Sequence, residues 1–475
     1  MSGERIWPAA VADLPVAIIG AGPVGLVAAA HVVSRGKRPL VFERGDAVGW
    51  SIREWQHVRL FSPWKYLTDP VSRELLSATE WTAPDGDTLP TGGELVGGFL
   101  EPLAAHPRIA PHLRLGRQVV AVARKGFDRM KTAGRDGAPF ELVVRTAAGT
   151  AERHLARAVI DASGTWTSPN PLGANGLPVA GEVEYAARIR YGIPDVLGRD
   201  RARYAARRTL VVGSGHSAFN ALLDLAELRR RTGAGAVLWA IRRDDLHHLY
   251  GGAERDKLAA RGILGERLRK VVGSGEVRLF SGFRTASVAA SDAGLVVHDE
   301  RGPSIGPVDE IVAATGFRPD LSGMRELRLR LDDALESPVA LAPLIDPNVH
   351  SCGTVYPHGF QELSHPETDV YVVGMKSYGR APTFLLLTGY EQVRSVTAAL
   401  AGEFEAARSV ELVLPETGVC STDPGDSACC GSEAEPELVA LGTAAGRAPI
   451  AGSCGIGSAC ASPAAERAVG RAGCC

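Results

Sequence analysis

Short apolar runs closed by small or polar residues recur along this chain: Val16–Ile19, Pro39–Phe42, Val159-Ile160-Asp161, Leu210-Val211-Val212, Ala236–Ile241, Ile311-Val312-Ala313 and Asp369–Val373. Most are rich in β-branched residues and unbroken by polar positions, the pattern of parallel strands buried on both faces. Helical spacing follows at Val24–Ser34, Ser217–Arg230 and Thr383–Ala401. Strands alternating with helices predict an α/β fold with parallel sheets. Three further runs, Val119–Ala123, Phe140–Thr146 and Arg153–Asp161, read as strands interrupted by a polar, glycine-bearing turn around residues 126–137. Leu14–Val33 is apolar enough to raise a membrane span, but its glycines and Pro23 favour strand, turn and helix over one continuous span.

Two glycine-rich turns punctuate this pattern. The first is Gly20-Ala21-Gly22-Pro23-Val24-Gly25, directly after Val16–Ile19. In such a turn the first glycine permits a tight bend, the second lets backbone approach a pyrophosphate, and the third lets the helix pack on the strand. The N-terminus of the next helix adds free N–H groups and partial positive charge. Glu43 closes the following strand, where a carboxylate can accept hydrogen bonds from a ribose diol. The second turn is Gly213-Ser214-Gly215-His216-Ser217-Ala218, with alanine replacing the third glycine. Its next strand, Ala236–Ile241, ends in Arg242-Arg243. Arginines there offer forked donors to a 2′-phosphate, which points to NADPH, although a solvated basic pair has the same sequence. Gly213, Gly215, Ser217, Arg242 and Arg243 are therefore candidate nicotinamide-nucleotide contacts. Two such turns in one chain suggest a flavin and a nicotinamide held face to face.

The chain has 475 residues, with 52 basic and 54 acidic side chains and a net charge of −2. That balance supplies no global field for nucleic acid or a membrane surface. Before Val16 there is no basic region, apolar core and cleavage site, so a cytoplasmic location is expected. Residues 14–170 read as the first part of the domain built on the first turn, 171–315 as an NADPH domain built on the second, 316–413 as the rest of the first domain, and 414–475 as a flexible tail. Pro169, Pro171 and Pro178 mark the crossing. His247-His248 and the arginine-rich stretch Arg199–Arg208 read as solvated surface or hinge. Of eight cysteines, Cys420, Cys429, Cys430, Cys454, Cys460, Cys474 and Cys475 lie in the tail and only Cys352 in the body. In a reducing compartment such thiols suit a soft metal or metalloid, with redox exchange or no function as alternatives. The vicinal pairs Cys429-Cys430 and Cys474-Cys475 are the candidate ligands.

The segments Val159–Thr165 and Ile311–Phe317, taken with both turns, resemble those of the two-dinucleotide-binding-domain flavoproteins, which include flavin-containing monooxygenases and thioredoxin-reductase-like enzymes. The resemblance spans about residues 14–412. It implies FAD at the first turn, with Val120, Gly164, Gly316 and Gly374 among the cofactor contacts. Asp369–Gly374 resembles the late strand ending beside the flavin pyrophosphate, but Met375 stands where many relatives carry aspartate. Body and tail together resemble the flavin monooxygenases of bacterial arsenic-resistance clusters; the tail also resembles the vicinal pair of mercuric reductases. No cysteine pair precedes Val419, and residues 181–195 lack the histidine of the usual monooxygenase signature. Oxygen, or a substrate docked on the flavin, is then the expected acceptor. Arg380 is a candidate contact to flavin oxygen or an oxyanion, with a structural salt bridge as the alternative. His350 and Cys352 form a candidate thiophile-accepting turn, unless Cys352 is a buried inert thiol. Trp50, Trp55, Phe61, Trp64 and Tyr66 either line the ring pocket or pack the core.

The expected function is an FAD- and NADPH-dependent oxidoreductase, in first place a monooxygenase using molecular oxygen on a small thiophilic or metalloid substrate, a trivalent arsenical or a thiol. A flavin reductase working through the tail cysteines, and a non-catalytic metalloid-binding or redox-sensing flavoprotein, are the competing classes.

Overall fold

A computed structural model describes residues 9–244, 246, 249–250, 259–350, 358–382 and 384–411. The tail and Cys352 lie outside the described residues. The apolar runs become two all-parallel sheets, as their composition predicts. The first holds β1 (Val16–Ile19), β2 (Pro39–Phe42), β3 (Leu113–Arg114), β7 (Ala158–Asp161) and β16 (Val370–Val372), in the order β16-β7-β1-β2-β3. The second holds β8 (Ile189–Tyr191), β9 (Arg208–Val212), β10 (Ala236–Ala240), β11 (Val277–Phe280) and β15 (Glu310–Ala313), in the order β11-β10-β9-β15-β8. Strands from both ends of the described chain thus build the first sheet, and the second is inserted between them.

Continuous hydrophobicity has a direct physical reason. Along β1, Val16 and Ile18 enter one core while Ala17 enters another, so both faces are covered. Leu210 and Val212 of β9 likewise face away from Val211. The remaining strands form two antiparallel layers: β4 (Arg117–Arg124), β5 (Phe140–Thr146) and β6 (Ala151–Ala156), and β12 (Thr285–Ser291), β13 (Gly294–Asp299) and β14 (Ser304–Val308). The expected single strand Arg153–Asp161 is in fact two. Its first part, β6, pairs antiparallel with β5, and its second, β7, pairs parallel with β1. Arg157 makes the corner, its N–H donating to the Pro15 carbonyl at 3.0 Å.

Helix α1 (Pro23–Ser34) follows β1, α2 (His216–Thr232) follows β9, and α3 (Leu386–Ala401) packs against α1. None of the helices among the described residues is long and apolar enough to cross a membrane. The expected polar turn around 126–137 contains a surprise: Arg135 is fully buried. It and Arg124 converge on Glu367, with Arg124 Nε–Glu367 Oε1 at 2.8 Å and Arg135 Nη2–Glu367 Oε2 at 2.7 Å. The remaining guanidinium donors reach carbonyls of Ala138, Asp128, Glu326 and Thr368. This satisfied charge cluster clamps the segment entering β16 onto the β4–β6 layer. Arg203 and Arg208, part-exposed within the expected surface stretch, pair with Glu310 at the start of β15 and with Asp309 just before it, both at 2.6 Å.

Candidate functional site

The strand ends of the first sheet are level: Ile19 lies beside Phe42 on one side and Asp161 on the other, with Val372 beyond Asp161. The chain leaves β1 toward β2 on one side while β7 returns on the other. A crevice at the carboxyl ends of parallel strands, where the order reverses, is the usual ligand position in such sheets. Here it is a cleft of about 470 Å³. Gly20, Gly22, Glu43, Val120, Gly164 and Gly374, all candidate cofactor contacts from the sequence, line it.

The first turn has the contacts its glycines imply. A Cβ on Gly25 would come within 1.9 Å of the Gly20 carbonyl oxygen, so any side chain there would separate helix from strand. A Cβ on Gly22 would meet nothing within 4 Å, which leaves its backbone open to the cleft and to the N-terminus of α1. That open cradle fits a phosphate-bearing nucleotide. Glu43 is buried, its carboxylate accepting from Ala21 N–H and Gly45 N–H, both at 2.8 Å. These bonds lock the carboxylate at the cleft wall and leave further lone pairs for a ribose.

The second turn repeats the scheme. A Cβ on Gly213 would strike the Ala314 carbonyl at 2.2 Å, and one on Gly215 would meet nothing within 4 Å. Ser217 lies in the first turn of α2. Arg242 and Arg243 follow β10 as expected, Arg242 exposed with Nη1 3.5 Å from the Ala174 carbonyl. Gly316 lies beyond β15 rather than in the first cleft, its carbonyl accepting from Asn170 N–H at 2.9 Å. Phe61 and His216 rings, 5.5 Å apart, join the first region to the start of α2.

Two expectations are corrected. Arg380 does not line the cleft; its guanidinium is tied to Glu336, with Nε–Oε2 at 2.8 Å, at the surface. His350 does not line it either, and its Nε2 lies 2.8 Å from the Pro343 carbonyl. The aromatic cluster divides. Trp50 and Trp55 line the cleft, Trp64 is core, and Tyr66 lies under Lys65.

The sequence reading missed the charged centre of the cleft. Lys376 Nζ donates to Asp161 Oδ2 at 2.6 Å and to Ser163 Oγ at 3.0 Å, and all three residues line the wall. Asp161 Oδ1 accepts from Ser163 N–H at 3.0 Å. The turn carrying Lys376 is fixed from behind by buried Gln392, which accepts from Gly374 N–H at 2.7 Å and donates to Ser377 Oγ at 2.9 Å. A signal was available: Asp161 is a lone carboxylate ending an apolar strand. Hydrogen bonds from Ser322 hold the Asp320 carboxyl on the same wall below the usual carboxylate range, and the Lys376 charge adds to them. Trp166 also lines the wall and stacks on Phe317 with ring centroids 4.8 Å apart.

Residues 18–69, which contain the first turn and Glu43, match the family model of the NAD(P)-binding Rossmann-like domain. Among solved structures, bacillithiol disulfide reductase Bdr (YpdA) from Bacillus cereus superposes with a TM-score of 0.61 at 17% identity, covering 82% of this chain and 99% of that one. The FAD-bound cadaverine monooxygenase DfoA from Erwinia amylovora gives 0.58 at 14% identity, over 88% and 99%. The fold is that of the two-domain flavoproteins. In sequence the chain is 28% identical over 213 residues to the probable indole-3-pyruvate monooxygenase YUCCA1 of Arabidopsis thaliana, covering 44% of this chain and 43% of that relative. The rice (Oryza sativa subsp. japonica) indole-3-pyruvate monooxygenase YUCCA1 is 30% identical over 211 residues, 44% of each chain. The chain spans about half the length of the curated relatives it matches.

Proposed function

We infer that this chain is an FAD- and NADPH-dependent oxidoreductase, with FAD in the 470 Å³ cleft and NADPH at the second turn. The observation that carries the reading is a repeated one: each parallel sheet ends in a glycine turn with one backbone position packed shut and one open. Nearby side chains divide the roles, Glu43 at the first ribose position and Arg242-Arg243 at the second. When bound, the nicotinamide supplies hydride and the flavin accepts it for delivery to oxygen or substrate. The protein's part is to grip both nucleotides, to cover the ring end with Trp166, Phe384 and Leu386, and to hold fixed charges on the cleft wall.

Within that class the reading is a monooxygenase, acting in the cytosol on a small soft nucleophile such as a trivalent arsenical or a thiol. Its support is the likeness to monooxygenases in sequence, and a tail whose Cys429-Cys430 and Cys474-Cys475 pairs suit soft ligands. The test is rapid mixing of purified protein with NADPH, with and without oxygen, arsenite or a small thiol. A yellow protein whose absorbance bleaches with NADPH and returns with oxygen, faster product forming with arsenite or thiol, is the expected result. Substrate turnover that persists without oxygen would replace the monooxygenase by a reductase. A flavin that NADPH never bleaches would leave a binding protein. Truncation after Leu414 should weaken arsenite capture and leave flavin reduction unchanged.

A further inference from the structure

One short segment touches both glycine turns. It begins at Gly49, whose N–H donates to the Ala21 carbonyl of the first turn at 2.9 Å. It ends at Phe61, whose ring centroid lies 5.5 Å from that of His216, the first residue of α2. In between, its side chains divide by direction. Trp50, Ser51, Ile52 and Trp55 line the first cleft. Glu54 and His57 meet the second region instead. Glu54 Oε2 accepts from Arg190 Nη2 on β8 at 3.2 Å, and the Glu54 carbonyl accepts from Arg199 Nη2 at 3.5 Å. Burial lowers the pKa of His57, and the charges of Asp195, Arg199 and Asp200 act on the same ring.

This segment is fastened to the first region. Leu60 N–H donates to the Pro90 carbonyl at 2.8 Å, and the Val58 and Gln56 carbonyls accept from Gly92 and Gly93 N–H, both at 2.9 Å. A Cβ on Gly92 would come within 2.9 Å of the Trp55 ring, so the two stretches pack without a gap. The second region joins the first through a crossing, where Asn170 N–H donates to the Gly316 carbonyl at 2.9 Å and Arg318 N–H to the Ser168 carbonyl at 3.0 Å. A crossing of two chains is a hinge, since a few backbone angles there can rotate one body against the other. Contacts away from the hinge decide the angle. Glu54 and Phe61 supply such contacts, and Phe61 does so at the nucleotide turn itself.

Resting on the two-nucleotide reading above, we propose that the strap Gly49–Phe61 sets the angle of the second glycine turn to the first cleft, with Phe61 and Glu54 as positioning residues for hydride passage from nicotinamide to flavin. The hydride carries two electrons and one proton to the flavin and leaves the nicotinamide cationic. Such a step is steep in distance and direction, and a misplacement of about 1 Å can cost about a hundredfold. Phe61 touches the first residue of the helix whose N-terminus suits the nucleotide phosphates. A small shift of that contact therefore moves the whole nucleotide.

The test combines hydrogen exchange with rapid mixing, both on the full chain. NADP+ added to wild type should slow exchange in peptides covering 213–220 and also in those covering 54–61. Protection of 213–220 alone overturns the proposal. Protection of neither takes away the nucleotide site, and the proposal falls together with the reading beneath it. In anaerobic mixing, Phe61→Ala should slow flavin bleaching at saturating NADPH about tenfold, with the dithionite rate and FAD affinity at wild-type values. Glu54→Gln should slow it about threefold, as loss of one part-exposed ion pair would. Added salt should bring wild type to the rate of that variant and leave the variant unchanged. Unaltered NADPH rates in both variants overturn the proposal. So does an equal slowing with dithionite, or a parallel loss of FAD affinity, either of which makes Phe61 a packing residue alone. Should Phe61→Ala fail to fold, the Glu54→Gln rate and the wild-type exchange pattern still decide.

Discussion

The two glycine turns share one local design and differ in what surrounds them. In α1 every residue from Val24 to Val33 is buried, even His31, whose Nε2 lies 3.0 Å from Asp69 Oδ1. In α2 burial is one-sided: Ala218, Leu222 and Leu225 face the core, while Arg229, Arg230 and Arg231 reach the surface. The first helix is enclosed by α3 and by the helix at Pro70–Ser77, whereas the second packs on its sheet and the helix at Ala259–Gly273 and leaves its arginine end exposed. An enclosed phosphate helix suits a cofactor that stays through many turnovers. An open one suits a nucleotide that enters and leaves. On the reading proposed above, the same motif serves a resident site or an exchangeable one according to how its helix is covered.

The sharpest break in this comparison is the clamp that brings the chain back. Glu367→Gln leaves Arg124 and Arg135 buried without their counter-charge, and should cost about 3–5 kcal/mol. Chemical denaturation would read the loss, with flavin released before the second region opens. A comparable mutation at the surface pair Arg230–Glu227 should cost under about 1 kcal/mol.

Acid should loosen the same return segment. Burial pushes His365 down from 6.5 to about 4. A histidine with a depressed folded value contributes stability that is complete above about pH 6.5 and is lost as the pH falls towards 4, worth about 3 kcal/mol in all. Burial alone would raise the Glu367 carboxyl, but hydrogen bonds from Arg135 and Arg124 outweigh it and hold it low, so its contribution fades at still lower pH. Melting temperature against pH should slope downward across that window, and His365→Phe should flatten the slope.

Glycine substitutions test the two turns directly. Gly25→Ala places a Cβ against backbone and should cost about 2–3 kcal/mol together with flavin affinity. Gly215→Ala meets no protein atom, so the fold should hold and only NADPH affinity should fall. Equal destabilisation by both would erase the contrast between packed and open positions.

The smallest effect belongs to the exchangeable site. Arg242→Ala with Arg243→Ala should raise the KM for NADPH about tenfold, roughly 1.4 kcal/mol, and leave that for NADH nearly unchanged. Equal losses for both nucleotides would remove the 2′-phosphate assignment.

Local signals were enough for the strands and turns. Val16–Ile19, Pro39–Phe42 and Phe140–Thr146 begin and end in the structure where their apolar runs do. Gly22, Glu43 and Gly374 were placed at the site because their chemistry is tied to a strand end. Arg380 was misjudged because nearness in sequence to a strand end says nothing about direction, and His350 was picked only for its neighbour Cys352, which lies outside the described residues. A side chain a few residues past β16 can equally turn back to Glu336 at the surface. The Arg153–Asp161 run concealed a corner, since two strands in different sheets can follow one another with only Arg157 between them.

By itself the sequence determined two nucleotide-type turns, the parallel strands that lead into them and the charges closing those strands, because each follows from backbone geometry over a few residues. Only the tertiary structure decided that Asp161 and Lys376, 215 positions apart, meet inside one cleft, and that Arg124, Arg135 and Glu367 fasten the strand that brings Lys376 there. The reason is that charge pairing is fixed by which strands lie side by side. Strand order is set by packing over the whole sheet, which local sequence does not encode.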